Sequence, residues 1–126
     1  MANIFLIEDD QYISRVYERA FTFAGHAVDI RYDGEAAWQA LSTAEKLPSV
    51  ILLDLNIPKL NGKELLQKIR QDHRFDGIPV VVLTNSSNLA SEKESMDAGA
   101  TLYLVKIDHE PKQLVEKIET LVRNSQ

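Results

Sequence analysis

Four short segments of the 126-residue chain end on residues that can do chemistry. Ile4-Phe5-Leu6-Ile7 stops abruptly at Glu8-Asp9-Asp10, and Val50-Ile51-Leu52-Leu53 stops at Asp54. Ile78-Pro79-Val80-Val81-Val82-Leu83 stops at Thr84, and the stretch from Thr101 to Val105 stops at Lys106. If these ends meet, Glu8, Asp9 and Asp54 form one acidic cleft. At ~4.5 Å and an effective dielectric of ~20, each like-charge pair there costs on the order of 3–4 kcal/mol. Such a cluster calls for a cation, and hard carboxylate oxygens without His or Cys suit Mg²⁺, which keeps waters and completes its shell with phosphate oxygens. Lys106 and the Thr84 hydroxyl can hold further oxygens of the same group. The outline is that of a phosphoryl-transfer site with an aspartate nucleophile.

The elements that must bring these ends together follow from the apolar pattern. Solid β-branched runs of this length read as strands covered on both faces of a parallel sheet. Two weaker strands, Ala27 to Tyr32 and Thr101 to Val105, complete a set of five. Helical spacing fills the intervals. Ile13, Val16, Tyr17, Ala20 and Phe23 make the first stripe, with Gly25 suited to the residue after the cap. Ala37, Ala40, Leu41 and Ala44 make the second, with Asp33 as its N-cap. Leu65, Leu66 and Ile69 mark a third helix opening near Asn61-Gly62. A fourth, from Leu89 to Ala98, is poor in large apolar residues and ends at Gly99. The fifth carries Leu114, Ile118, Leu121 and Val122, with Pro111 in its first turn. The order βαβαβαβαβα predicts an α/β fold, a doubly wound five-stranded parallel sheet with helices on both faces. In such sheets ligands bind beyond the carboxyl ends of the strands, at the switch in strand order.

Composition removes several function classes. The length suits one domain, so residues 1–126 are expected to form a single one. A net charge of -5, from 14 basic and 19 acidic residues, argues against general binding to nucleic acid. The chain has no cysteine, which removes disulfides, thiolate metal sites and Cys nucleophiles. Its apolar runs fall far short of the ~20 residues of a membrane span. Met1-Ala2-Asn3 does not open a signal peptide, so a cytoplasmic location is expected.

Read together, Ile7-Glu8-Asp9-Asp10, Leu53-Asp54-Leu55-Asn56-Ile57-Pro58, Asn61-Gly62, Leu83-Thr84, Gly99-Ala100 and Tyr103-Leu104-Val105-Lys106 resemble the receiver domain of two-component response regulators. The likeness spans essentially the whole chain. It implies a flavodoxin-like strand order 2-1-3-4-5, with Asp54 taking a phosphoryl group from the phosphohistidine of a sensor histidine kinase or histidine phosphotransfer protein. It implies Mg²⁺ (or Mn²⁺) on Asp9, Glu8, Asp54 and the backbone carbonyl of Asn56. Lys106 would contact the phosphoryl oxygen, Thr84 would move to hydrogen-bond it, and Tyr103 would be the aromatic switch coupled to Thr84. The output surface would be helix 4, strand 5 and helix 5, used to dimerise or to bind partners. Such a domain is a signalling phosphoacceptor rather than an enzyme. Asn56 and Ser86 fall where this family tunes autodephosphorylation.

Structural readings stand beside these. Asp10 is expected to cap the first helix; Trp38 and the strand residue Tyr103 also read as packing; and His26, His73 and His109 read as surface residues. Two departures mark the chain. Ile107 follows Lys106 where the family has a cis proline, so the Lys106-Ile107 bond is expected to be trans, in a segment one residue longer than usual before Leu114. Asn85 follows Thr84 where a small residue is common. They keep open a receiver-like interaction module that is not phosphorylated. A haloacid-dehalogenase-like phosphohydrolase would need an acid two positions after its nucleophile, where this chain has Asn56, and a longer chain.

Overall fold

The computed structural model describes residues 1–85 and 88–125; Ser86 lies outside them. Five strands and five helices alternate: β1 (Asn3–Ile7), α1 (Gln11–Phe23), β2 (Ala27–Arg31), α2 (Gly34–Ser42), β3 (Val50–Asp54), α3 (Gly62–Gln71), β4 (Val80–Thr84), α4 (Leu89–Asp97), β5 (Leu102–Val105) and α5 (Pro111–Asn124). All pairings are parallel, and the strands lie in the order β2-β1-β3-β4-β5. The chain leaves β1 toward β2, then returns across it to β3. That reversal places the switch point between β1 and β3, where the acidic ends lie.

Alternate residues of each strand feed two cores. Ile4, Leu6, Leu52, Val81 and Leu104 pack with Tyr17, Phe21, Leu114 and Ile118 of α1 and α5. Phe5, Ile7, Ile51, Leu53 and Val82 pack with Leu41, Leu65, Ile69 and Phe75 on the opposite face. β3 and β4 are buried from end to end, which is why their sequences are solid rather than alternating. Burying each such side chain contributes ~1.5–3 kcal/mol, so the central strands are the least yielding part of the frame. The Arg70 guanidinium of α3 donates to Phe75 O (2.8 Å) and Ile78 O (2.9 Å), and its Nε to Gly99 O (2.8 Å). It thereby fixes the segments that lead into β4 and β5.

Capping follows the sequence. Asp10 accepts from Tyr12 N and Ile13 N, Asp33 from Ala36 N, and Asn61 from Glu64 N. Gly25 follows α1 with φ 93°, the left-handed value that favours glycine there. Pro111 opens α5.

Several boundaries and faces differ from the sequence reading. Phe23 is 95% exposed and Phe21 is buried in its stead. At 100° per residue Phe23 lies about 120° from Tyr17, off the inward stripe, whereas Phe21 lies about 40° away. β2 stops at Arg31, leaving Tyr32 outside it. β4 begins only after Pro79, which has no N–H to give the ladder. Thr101 precedes β5, its hydroxyl accepting from Val80 N at 3.0 Å. Ala44 falls beyond α2. Of the histidines only His73 is a surface residue. His26 is half-buried, Nδ1 accepting from Ala2 N at 3.0 Å and Nε2 bonded to Glu119 Oε2 at 2.8 Å, while half-buried His109 sets Nδ1 3.1 Å from Val105 O. Trp38 packs near Phe75, with ring centroids 6.3 Å apart.

Candidate functional site

The parallel register sets the site. Ile7 pairs with Leu53 and Asp54 with Leu83, so the first residue beyond β1, Glu8, stands beside the last residue of β3. Thr84 closes β4 opposite Val105, which puts Lys106 one step past the end of β5. Three acids and one lysine therefore reach a single cleft from β1, β3 and β5. Glu8, Asp54, Thr84 and Lys106 are all buried, whereas Asp9 is exposed at the mouth.

Lys106 Nζ donates to Glu8 Oε1 and to Asp54 Oδ2, the latter at 3.0 Å. Asp54 Oδ1 accepts from Asn56 N at 3.0 Å, and Glu8 Oε2 accepts from Asp10 N at 3.2 Å. Both buried carboxylates are thus held at two points, which fixes their rotamers. The lysine reaches them without a proline after it. No cis peptide occurs among the described residues, so Lys106-Ile107 is trans. The longer segment is taken up in a 3₁₀ turn over Lys106–Asp108, with Ile107 pointing out, 87% exposed.

The charge balance is tight. Burial pushes the Glu8 carboxyl up to about 7; the Lys106 hydrogen bond opposes the shift and the Asp54 charge adds to it. For Lys106 burial works against the charge, but the bonds to Glu8 and Asp54 outweigh it and hold the ammonium above its ordinary value. One carboxylate oxygen from each of Glu8, Asp9 and Asp54 lies within 4.8 Å of the others. A lone ammonium cannot neutralise three carboxylates. The residual negative charge, and a donor set made only of hard oxygens, fit a divalent cation of the Mg²⁺ class.

Two neighbours of the site were not legible as such. Tyr17, a core residue of α1, feels the charges of Lys106, Glu8 and Asp54, and burial holds its phenol above the ordinary value. Gly62, which reads as a helix start, lets α3 lie directly on the backbone that carries Asp54. A Cβ there would come 2.5 Å from Leu55 Cα and 2.6 Å from Asp54 O. Gly62→Ala is therefore expected to destabilise the protein by at least about 2 kcal/mol. Gly77→Ala, with nothing within 4 Å of the new methyl, should change it by no more than about 0.5 kcal/mol. Urea unfolding midpoints of the two variants check the contrast; equal midpoints would refute the contact.

Of the remaining candidates, Tyr103 is half-buried on β5, paired in register with Val82, and packs against the α3 side of the sheet. The Asn56 side chain is exposed while its N–H serves Asp54. Asn85 is exposed beside buried Thr84.

Comparison with known proteins points one way. A family model described as "Response regulator receiver domain" matches residues 4–119. The response regulator ArlR of Staphylococcus haemolyticus is 34% identical over 124 residues, which cover 98% of this chain and 53% of that protein. The chain thus spans about half the length of this relative. Among solved structures, the Mn(2+)-bound form of response regulator Rcp1 is 33% identical with a TM-score of 0.84, over 95% of this chain and 93% of that one. The phosphorylated cyanobacterial phytochrome response regulator RcpA is 32% identical with a TM-score of 0.82, over 95% and 90%.

Proposed function

The chain belongs to the response regulator receiver domain family of two-component signalling, and on that premise we propose that it is a phosphoacceptor whose acceptor is Asp54. The reading rests above all on the convergence of the Glu8, Asp9 and Asp54 oxygens with Lys106 bridging Glu8 and Asp54. Residues 1–126 act as one receiver domain. Its donor is a phosphohistidine on a histidine kinase or a histidine phosphotransfer protein, and its place of action is the cytoplasm. Among the described residues no helix is long and apolar enough to cross a membrane.

In the transfer a carboxylate oxygen of Asp54 attacks the phosphorus in line. The new O–P bond forms as the P–N bond to the imidazole breaks, and the imidazole nitrogen keeps the electron pair. Positioning and charge stabilisation supply most of the rate in such reactions. Asn56 N fixes the Asp54 carboxylate, and Lys106, already on Asp54, shifts to a phosphoryl oxygen. Asp9, Glu8, Asp54 and the Asn56 carbonyl would hold Mg²⁺ or Mn²⁺, which when bound neutralises charge on the cleft and on the phosphoryl oxygens. The Thr84 hydroxyl turns to another phosphoryl oxygen, and Tyr103 follows it inward. That change is read out on α4, β5 and α5. Among the described residues of α4 only Ser95 is buried, so this helix is thinly anchored and suited to shift.

Incubation with acetyl phosphate and Mg²⁺, followed by peptide mapping in a mass spectrometer, should place one base-labile, hydroxylamine-sensitive phosphoryl group on the peptide containing Asp54. An adduct on another residue, or none, would overturn the proposal and leave the module that acts without phosphorylation.

A further inference from the structure

A second functional surface lies on the flank of the sheet, away from the acidic cleft. Between α1 and α5 runs a groove of ≈ 710 Å³ whose apolar wall includes Ala20, Ala24, Pro111 and Val115. Phe23 stands on its lip, 95% exposed, the most exposed aromatic side chain among the described residues. Phe23 is continuous with the groove's apolar wall, and it is such contiguous apolar patches, not single exposed side chains, that mark interaction sites. Knob and groove occupy the same face.

The charges on the rim say what fits. Arg19 and Lys112 stand there with Glu116 and Glu119. Glu119 is engaged by His26 at 2.8 Å, but among the described residues Arg19, Lys112 and Glu116 take part in no ion pair. This face therefore carries no excess of either sign, on a chain whose net charge is -5. Two such chains repel over most of their surface and least here. A face with its own knob, its own groove and free charges of both signs is complementary to itself, which is what a two-fold contact requires.

We infer that the α1–α5 face is a homodimer interface, in which Phe23 of each copy enters the groove of the other and Arg19 pairs with the partner copy's Glu116. The contact is made by α1 and the side of α5 that faces it, without α4 or β5, and does not depend on phosphorylation of Asp54.

Sedimentation velocity of the full 126-residue chain, from micromolar into the submillimolar range, reads the equilibrium. The wild-type chain should dimerise reversibly, and Asp54→Asn should dimerise equally well. Phe23→Ser removes two buried phenyl rings per dimer and should weaken association at least about a hundredfold. Because Phe23 is solvated in the monomer, the variant's circular dichroism and its unfolding midpoint, taken at a concentration where both chains are monomeric, should stay as in wild type. Arg19→Glu alone and Glu116→Arg alone should each weaken the dimer through like-charge contacts. An equimolar mixture of these two variants should recover it as a heterodimer, an outcome that a merely structural role for either residue does not produce. A wild-type chain that stays monomeric across the range would overturn the inference and give the groove to another protein or segment. So would a dimer indifferent to Phe23→Ser, which would lie on a different face, or a mixture that fails to associate.

Discussion

Asp54→Asn should separate function from stability, abolishing the phosphoryl adduct while leaving the fold intact. Loss of the nucleophile removes the bond-forming step itself, so the labelling rate with acetyl phosphate and Mg²⁺ should fall at least about a thousandfold. The effect on stability is a near balance. Asp54 offers one oxygen to Lys106 and the other to Asn56 N. An amide has a single oxygen, so one of these bonds is lost, at a cost of ~1 kcal/mol. Against this, the substitution takes one charge out of a trio whose oxygens lie within 4.8 Å and relieves the repulsion that helps hold Glu8 near 7. Stability measured by urea unfolding without metal should therefore stay within about 1 kcal/mol of wild type. The Glu8 carboxyl should titrate lower, which ¹³C NMR of the side chain reads directly. An adduct that survives the substitution, or a Glu8 that does not move, would refute the acceptor assignment or the coupling respectively. A residue kept for structure would behave in the opposite way, since its removal costs stability first.

This site is readable in the sequence because each of its residues interrupts a pattern. A buried parallel strand is a solid apolar run, so a charge or hydroxyl at its end stands out: Glu8, Asp54 and Thr84 are each the first such group after one, while Lys106 follows the weaker, half-buried β5. Strand ends are also where topology fixes position, because the parallel register sets Ile7 beside Leu53, Asp54 beside Leu83 and Thr84 beside Val105. The fold followed from the same runs, and the observed order β2-β1-β3-β4-β5 agrees with the order implied by the family resemblance.

Helix faces carried less information. On α1 the spacing from Ile13 to Phe23 satisfies helical periodicity as well as the true stripe does, because a Ser and a Phe stand one position off it. Packing chose Ser14 and Phe21, and left Phe23 in solvent. Gly62 was legible as a helix start but not as the point where α3 meets the Asp54 backbone, since close approach of two main chains leaves no periodic trace. His26 lacks any ligand spacing in sequence, and its partners Ala2 and Glu119 are 24 and 93 residues away. The seat of Lys106 is the instructive case. With Ile107 where a cis proline is usual, its placement could be doubted, yet the pull of two buried carboxylates and a 3₁₀ turn suffice to bring the ammonium in.

That ammonium predicts the largest effect on stability. Lys106→Met keeps most of the buried aliphatic stem and deletes the charge between Glu8 and Asp54. Breaking a buried ion pair from one side typically costs ~3–5 kcal/mol, and a loss of that order is expected at pH 8 without metal. The cost should depend on pH in a definite direction. Lys106 now pulls the Glu8 titration down against burial and the Asp54 charge, so without it Glu8 must titrate above 7. A carboxyl whose folded value exceeds its unfolded value of 4.5 binds its proton more tightly in the native state between those two pH values. Stability is then greatest below the unfolded value and declines as pH rises through the window, by up to about 1.4 kcal/mol per unit. The wild-type protein shows this decline only to about 7; the variant should continue to lose stability beyond it. At pH 5, with Glu8 protonated in the native state, the difference between them should shrink. Mg²⁺ supplies the missing positive charge, so millimolar Mg²⁺ should raise the unfolding midpoint of Lys106→Met more than that of wild type. Phosphoryl transfer should not recover with it if Lys106 has the proposed role, because Mg²⁺ restores charge in the cleft but not an ammonium to meet the phosphoryl oxygen. A variant as stable as wild type at pH 8, or one whose deficit does not change between pH 5 and pH 8, would show that the ammonium does not neutralise these acids.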